Sequence, residues 1–247
     1  MKNLLIFITI LSSSTAFADN LNSQQLKDVQ LVIALFKQKN ISAISNHIVY
    51  PLAREEPLPS IQNPTEMKQR FNQVFDAKLI QNIANSKPSQ WQSVGWRGVM
   101  LDSGTVWLEG HQIKAVNYSS DAEQKLKAQL ISQQKQKLYP SLRNFSKPDL
   151  QFKTTKFQIR IDEMPNGQYR YAAWGVNQSQ TEKPDLILNQ GKVVMDGSGG
   201  DHHYIFNSGG YQYIIYRNLL GTSEKPDVQL EVTLKAKTVL SQNGYLF

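Results

Sequence analysis

From Phe152 to the C-terminus the chain is a series of short alternating runs cut by glycine-containing turns, and that pattern leaves few folds open. Phe157, Ile159 and Ile161 alternate with charged residues, and Pro165-Asn166-Gly167 marks a turn. Further runs follow at Tyr169 to Trp174, Leu186 to Leu188, Lys192 to Met195, His203 to Phe206, Tyr211 to Tyr216, Val228 to Leu234 and Lys237 to Leu240. Gly191, the cluster Gly197-Ser198-Gly199-Gly200, Gly209-Gly210 and Gly221 separate them. Side chains alternate sides along a strand, so each run offers one face to a core. About eight strands in so short a stretch predict a β-sandwich or a small barrel. The chain has no cysteine. Burial and hydrogen bonding therefore stabilise the fold without disulfides, and thiolate metal sites are excluded.

The front of the chain has a different period. Leu26, Val29, Ile33 and Phe36 form one stripe of a helix over Ser23 to Lys39. Ile41, Ile44 and Ile48 suggest a short second helix. Pro51, Pro57, Pro59 and Pro64 punctuate a loop, because proline removes a backbone donor and fixes φ. A third helix runs to about Asn85 on Met67, Phe71, Phe75, Leu79 and Ile83. Alternation then returns. Val94 to Leu101, Thr105 to Glu109 and Ile113 to Tyr118 predict three strands joined by tight turns at Asp102-Ser103-Gly104 and Gly110-His111. The expected class is α+β: N-terminal helices plus a three-stranded antiparallel meander, then an all-β sandwich or small barrel. Ser120-Asp121-Ala122-Glu123 has the form of a capping box and opens a helix to about Leu138.

The order helix, short helix, Pro-rich loop, helix and meander, with Gly95-Trp96-Arg97-Gly98 and Val106-Trp107, resembles the front domain of uncharacterised exported bacterial proteins. It is also similar to the cone-shaped α+β domains of the NTF2-like group. That resemblance implies a curved sheet under helices. It does not imply one activity, since such scaffolds host enzymes and plain binders alike.

Met1 to Ala18 reads as a cleavable export signal. Lys2 supplies the positive start, Leu4 to Leu11 an apolar run, and Ala16-Phe17-Ala18 small residues at the cleavage positions. At 1.5 Å per residue the run covers about 12 Å of a ~30 Å hydrocarbon core, too little to span it. Cleavage after Ala18 places the mature protein in the periplasm or outside the cell, with no integral membrane span. The expected organisation is a signal at 1–18, an α+β domain at 19–120, a basic helix and linker at 121–151 and a β-domain at 152–247.

The formal net charge is +7. Between Glu123 and Lys156 stand Lys125, Lys127, Lys135, Lys137, Arg143, Lys147, Lys153 and Lys156 against two acids, Glu123 and Asp149. Such a stretch serves as a patch for an anionic partner or simply as a solvated helix face. No nucleic-acid motif accompanies it, so nucleic acid is not an expected partner.

Each candidate site has an ordinary alternative. Trp96, Arg97, Trp107, Glu109 and Tyr118 fall on consecutive expected strands, so sheet register can gather them. An arginine beside aromatics can clamp a carboxylate or stack on a sugar. The alternative is a core Trp96 and an Arg97 paired with Glu109 on the sheet surface. Tyr169, Tyr171, Tyr204, Tyr211, Tyr213 and Tyr216 lie on expected strands, where tyrosine, with an apolar body and a polar tip, suits an interface or an ordinary sandwich core; Tyr211 and Tyr213, with Lys135 and Lys137, are the candidate interface residues. Asp201-His202-His203 is similar to the motif of the DHH phosphoesterases, whose further metal motifs are missing here. If it starts a strand, His202 and His203 face opposite sides and cannot share an ion. Gly197-Ser198-Gly199-Gly200 lacks both the nucleophile-elbow and the phosphate-loop pattern and reads as a hairpin connection. Glu55 and Glu56, beside Arg54, read as salt-bridging or solvated acids rather than a catalytic pair. Lys-Pro-Asp-aliphatic recurs at Lys147, Lys183 and Lys225, and each copy marks entry into a strand.

No catalytic constellation, metal or cofactor is expected. The functional expectation is a non-catalytic exported binder of a partner protein or cell-envelope component, of inhibitor or immunity type. The alternative is a small-molecule binder or enzyme with a pocket in the NTF2-like front domain.

Overall fold

The computed structural model describes residues 20–197, 199–219 and 226–247. The export signal and Ser198 of the glycine cluster lie outside the described residues, as does Lys225 of the third Lys-Pro-Asp copy. The described residues divide into two compact units, 20–50 with 67–118, and 51–66 with those from 119 to 247. The Pro-rich loop and the basic helix both belong to the second unit.

In the first unit α1 (Ser23–Lys37) begins at Asn22, which forms a capping box with Gln25. Next come α2 (Ile41–Asn46), α3 (Pro64–Val74) and α4 (Ala77–Asn85). The expected single helix through Asn85 is two, because Asp76 caps the backbone N–H of Leu79 and starts a new helix there. Both keep the expected apolar stripe, with Met67, Phe71, Leu79 and Ile83 buried. The antiparallel sheet has four strands in sequence order: β1 (Trp91–Ser93), β2 (Val99–Leu101), β3 (Val106–Glu109) and β4 (Gln112–Val116). The extra strand arises because the expected first strand is interrupted. Gly95 and Gly98 take positive φ (57° and 98°), and the residues between them form a 3-10 turn, Gly95–Arg97. A Cβ on Gly98 would sit 2.1 Å from the Leu108 carbonyl oxygen, so only glycine fits the close approach there.

In the second unit eight antiparallel strands close into a barrel: β5 (Lys147–Lys153), β6 (Phe157–Glu163), β7 (Tyr169–Gly175), β8 (Leu186–Met195), β9 (His202–Ser208), β10 (Tyr211–Arg217), β11 (Val228–Leu234) and β12 (Lys237–Leu246). Every strand pairs with its sequence neighbour, and β12 closes on β5 through Tyr245 opposite Lys153 and Leu246 opposite Phe152. Closure removes the exposed edges that make an open sheet prone to aggregate. β8 belongs to both halves of the wall. Its first part pairs with β7, its last four residues pair with β9, and between them Gln190 takes φ 60°. Gly191 follows, where a Cβ would lie 2.1 Å from the Phe206 ring. The Lys-Pro-Asp copies at Lys147 and Lys183 stand at the starts of β5 and β8, and Pro226-Asp227 of the third precede β11.

The interior is apolar: Phe152, Ile159, Ile161, Tyr171, Phe206, Ile215, Leu230 and Val232 meet there. On β11 the alternate residues Gln229, Glu231 and Thr233 point out. No described helix is long and apolar enough to cross a membrane.

The outer face of β6 and β7 is buried as well. α5 (Asp121–Gln136), capped by Ser120, and the segment after it contribute Ile131, Leu138, Leu142 and Phe145 against Ala172 and Trp174. Glu123 is fully buried and takes both Nε and Nη2 of Arg54, which ties the Pro-rich loop to this helix. Beneath them Asp162 accepts from Arg160 Nε at 2.6 Å and from Arg170 Nη2 at 2.7 Å. Gln134 takes Arg160 Nη1, and the carbonyls of Leu142 and Asn144 take Arg170. Burial raises the Asp162 carboxyl and lowers the Arg160 guanidinium, and each opposes the other's shift through its charge.

Candidate functional site

The five front residues spread over the 3-10 turn, β3 and the segment after β4. Trp96 sits on the 3-10 turn and is 67% exposed, so the buried tryptophan of this sheet is Trp91 instead. Arg97 stacks over the Trp107 ring at 5.8 Å, which is a cation–π contact. Glu109 pairs with Lys114 at 3.0 Å, not with Arg97. Tyr118 donates to Asp76 at 2.7 Å. These contacts hold the sheet and helices of the first unit together; they do not converge on one point.

The basic segment spends much of its charge inside the second unit. Lys127 pairs with Glu55 at 2.5 Å, and Lys147 reaches Glu163 at 3.3 Å and Glu55 at 3.5 Å. Lys135 lies over Phe145 at 4.8 Å and Lys153 over Phe247 at 5.0 Å. Lys137 caps the C-terminus of α5.

Each end of the barrel holds a cavity or depression, and their chemistry differs. At one end a cavity of about 230 Å³ is lined by Phe157, Tyr171, Ala173, Asp185, Leu186, Tyr211, Tyr213, Leu230, Val232 and Leu240. Tyr211 and Tyr213, the candidate interface residues, therefore line the barrel's interior space. β10 places them two apart, on the inward face. Tyr211 follows the Gly209-Gly210 turn, both at positive φ, which brings β9 directly back as β10. Tyr171 stands across the barrel on β7, tilted against Tyr213 (ring centroids 6.1 Å apart) and Phe206 (5.6 Å). Burial first, and Tyr213 second, raise the Tyr171 phenol, so it stays a hydroxyl donor. Asp185, the sole ionisable carboxylate of this lining, is exposed and accepts from the Gly175 N–H at 3.1 Å.

At the opposite end a depression of about 380 Å³ is lined by Asp149, Leu150, Tyr169, Val193, Met195, Gly200, His202, Tyr204 and Arg217. The Tyr204 hydroxyl donates to Asp149 Oδ2 at 2.7 Å and lies 3.1 Å from His202 Nε2. His202 Nδ1 is 2.8 Å from the Gly200 carbonyl, which can only accept, so Nδ1 carries a proton. Glu56 is coupled to this end: burial and then Asp149 raise its carboxyl, opposed by Arg160 and Arg217. Its neighbour Glu55 goes the other way, since Lys127 and Lys147 outweigh burial and lower it.

His202 faces inward, as the strand alternation requires. His203 faces out and meets Asp196 at 2.9 Å. Among the described residues no group of three or more His, Asp or Glu side chains is placed to hold a metal ion. Tyr171 and Tyr204 belong to the strand tyrosines that the sequence marks for an interface or a core, and Asp149 had no expected site role. The available signal was the in-facing tyrosine pattern of β7 and β9 together with the first Lys-Pro-Asp copy. Comparison with protein-family models, with curated proteins and with solved structures finds no match to this chain.

Proposed function

We propose that the chain is an exported, non-catalytic binding protein whose barrel holds a small, largely apolar molecule. The observation that carries this reading is the cavity of about 230 Å³ at the tyrosine end, walled by Phe157, Leu186, Leu230, Val232 and Leu240 and tipped with tyrosine hydroxyls. Ligand sites combine mostly apolar walls with a few placed polar groups. A dry apolar cavity of about 150 Å³ accommodates benzene, so this one suits roughly ten non-hydrogen atoms. The small-molecule alternative thus moves from the front unit to the barrel. The leader-like stretch through Ala18 supports export, and the NTF2-like resemblance of the front unit stays a proposal about its ancestry.

The direct test is thermal unfolding with indole or naphthalene as probe. Ligand at a hundredfold excess over Kd stabilises by about 2.7 kcal/mol, which is several degrees in Tm. Ala173→Met, which fills the cavity from β7, is expected to abolish that shift while keeping the barrel. No shift with any probe of this size in the wild type counts against the reading. Export is checked by sequencing the N-terminus of protein from the periplasm, expected at Asp19.

A second reading, recognition of a partner protein or envelope component, draws on the outward face of β12. There Val239, Tyr245 and Phe247 share one side and are each more than half exposed. Replacing all three by serine is expected to lower capture of an envelope partner and leave probe binding in the barrel unchanged.

A further inference from the structure

The cavity's polar content narrows its ligand, and the following rests on the binding reading above. Four tyrosine or tryptophan side chains are buried among the described residues: Trp91, Tyr171, Trp174 and Tyr204. Three of them have their polar tip paired. Trp91 Nε1 donates to Ser86 Oγ at 2.9 Å, Trp174 Nε1 to the Glu182 carbonyl at 3.0 Å, and Tyr204 to Asp149 at 2.7 Å. The Tyr171 hydroxyl makes no hydrogen bond to any described residue, although Tyr171 is only 2% exposed and lines the cavity. Its oxygen is not among the fully enclosed, unpaired side-chain atoms of the described residues, so the hydroxyl opens on the cavity and can donate to a ligand there. Tyr213, the nearest phenol, is in ring contact with Tyr171 but does not accept from it.

Charge completes the argument. No lysine, arginine or histidine lines the cavity, so a carboxylate or phosphate brought inside would lose its hydration with no cation to replace it. Asp185 is the single carboxylate, exposed and already engaged by the Gly175 N–H, and so is not set to receive a buried ammonium. What the site offers is the Tyr171 hydroxyl, unpaired among the described residues, on the wall of an apolar cavity whose other two hydroxyls belong to the less buried Tyr211 and Tyr213. We infer that the barrel selects an uncharged, mainly apolar ligand carrying one carbonyl-type acceptor, and that Tyr171 donates its hydroxyl hydrogen to that acceptor.

The test uses the full-length mature chain and three probes of similar size: acetophenone, its hydrocarbon isostere α-methylstyrene, and benzoate. Affinities are read by titration calorimetry for wild type and Tyr171→Phe. Acetophenone is expected to bind about tenfold more weakly to the variant, the scale of one buried hydrogen bond, while α-methylstyrene is unchanged or gains. Benzoate is expected to bind at least about tenfold more weakly than acetophenone to the wild type, given the missing cation. A loss shared equally by ketone and hydrocarbon, or no loss for either, overturns the role of Tyr171 while leaving the cavity a ligand site. Benzoate binding as well as the ketone overturns the selection for neutral ligands. If no probe binds the wild type, the binding reading itself fails. The C=O stretch of bound acetophenone gives a check that needs no variant. A shift to lower frequency supports the hydrogen bond, and a stretch at its value in hydrocarbon solvent overturns it.

Discussion

The two ends of the barrel use the same residue type to opposite effect. At one end Tyr204 sits between Asp149 and His202 with its hydrogen-bonding capacity engaged. At the other end Tyr171, equally buried, presents its hydroxyl to a cavity and to no protein partner. A polar group satisfied within the protein stabilises the fold, whereas one left for a ligand lowers stability and raises affinity. The polar end is therefore read as the stabilising end and the tyrosine end as the binding end.

The largest effect expected under that division is at the outer wall of the polar end. Asp162→Asn leaves Arg160 and Arg170 buried without their carboxylate. Breaking a buried ion network in this way costs about 3–5 kcal/mol, seen as a lowered midpoint in urea. A loss below about 1 kcal/mol would mean that water reaches this wall. Next comes Tyr204→Phe, which strips Asp149 and His202 of their shared partner. It is expected to cost about 1–3 kcal/mol and to leave probe affinity at the far cavity unchanged. An equal loss of affinity would break the separation of the two ends.

A smaller effect concerns pH. Glu56 has its carboxyl raised in the folded state, so its contribution is present below the ordinary carboxylate range and is lost as pH rises through the raised value. Glu56→Gln is then expected to flatten stability above the carboxylate range and to be slightly more stable than wild type at pH 7. The gain is modest because the side chain keeps an exposed surface. Glu55, lowered by Lys127 and Lys147, contributes above its ordinary range and loses that contribution as pH falls. Glu55→Gln therefore steepens nothing at low pH and costs a little at pH 7; unfolding midpoints from pH 3 to 8 separate the two neighbours. The smallest effect is at the binding end. Tyr171→Phe is expected to change stability by less than about 0.5 kcal/mol, or to raise it, since no protein hydrogen bond is lost. A large loss would show the hydroxyl to be structural.

Much of the fold was legible because it depends on local periodicity. Val29, Ile33 and Phe36 of the expected stripe became the buried face of α1, with Val32 and Leu35 beside them, and the glycine-punctuated runs after Phe152 became barrel strands. Where the reading slipped, a backbone feature outweighed the side-chain pattern. Trp96 and Arg97 looked like alternating strand residues, but Gly95 and Gly98 on either side adopt positive φ and fold them into a turn. The alternation of charged residues with Ile159 and Ile161 gave no sign that Arg160 and Asp162 lie buried, with Arg160 bonded to Gln134 of α5. Period two reports which side a residue faces and says nothing of what covers that side.

By itself, then, the sequence determined the α+β class, the approximate strands and their inward faces, because those follow from the spacing of apolar residues along a short stretch. The tertiary structure alone decided that β12 returns to β5 and makes a barrel rather than a sandwich, through pairs nearly a hundred positions apart. It also decided that Tyr171, Tyr211 and Tyr213 share one cavity while Asp149, His202 and Tyr204 share the other end. Those groupings depend on closure and on strand register around the ring, and no local spacing encodes either.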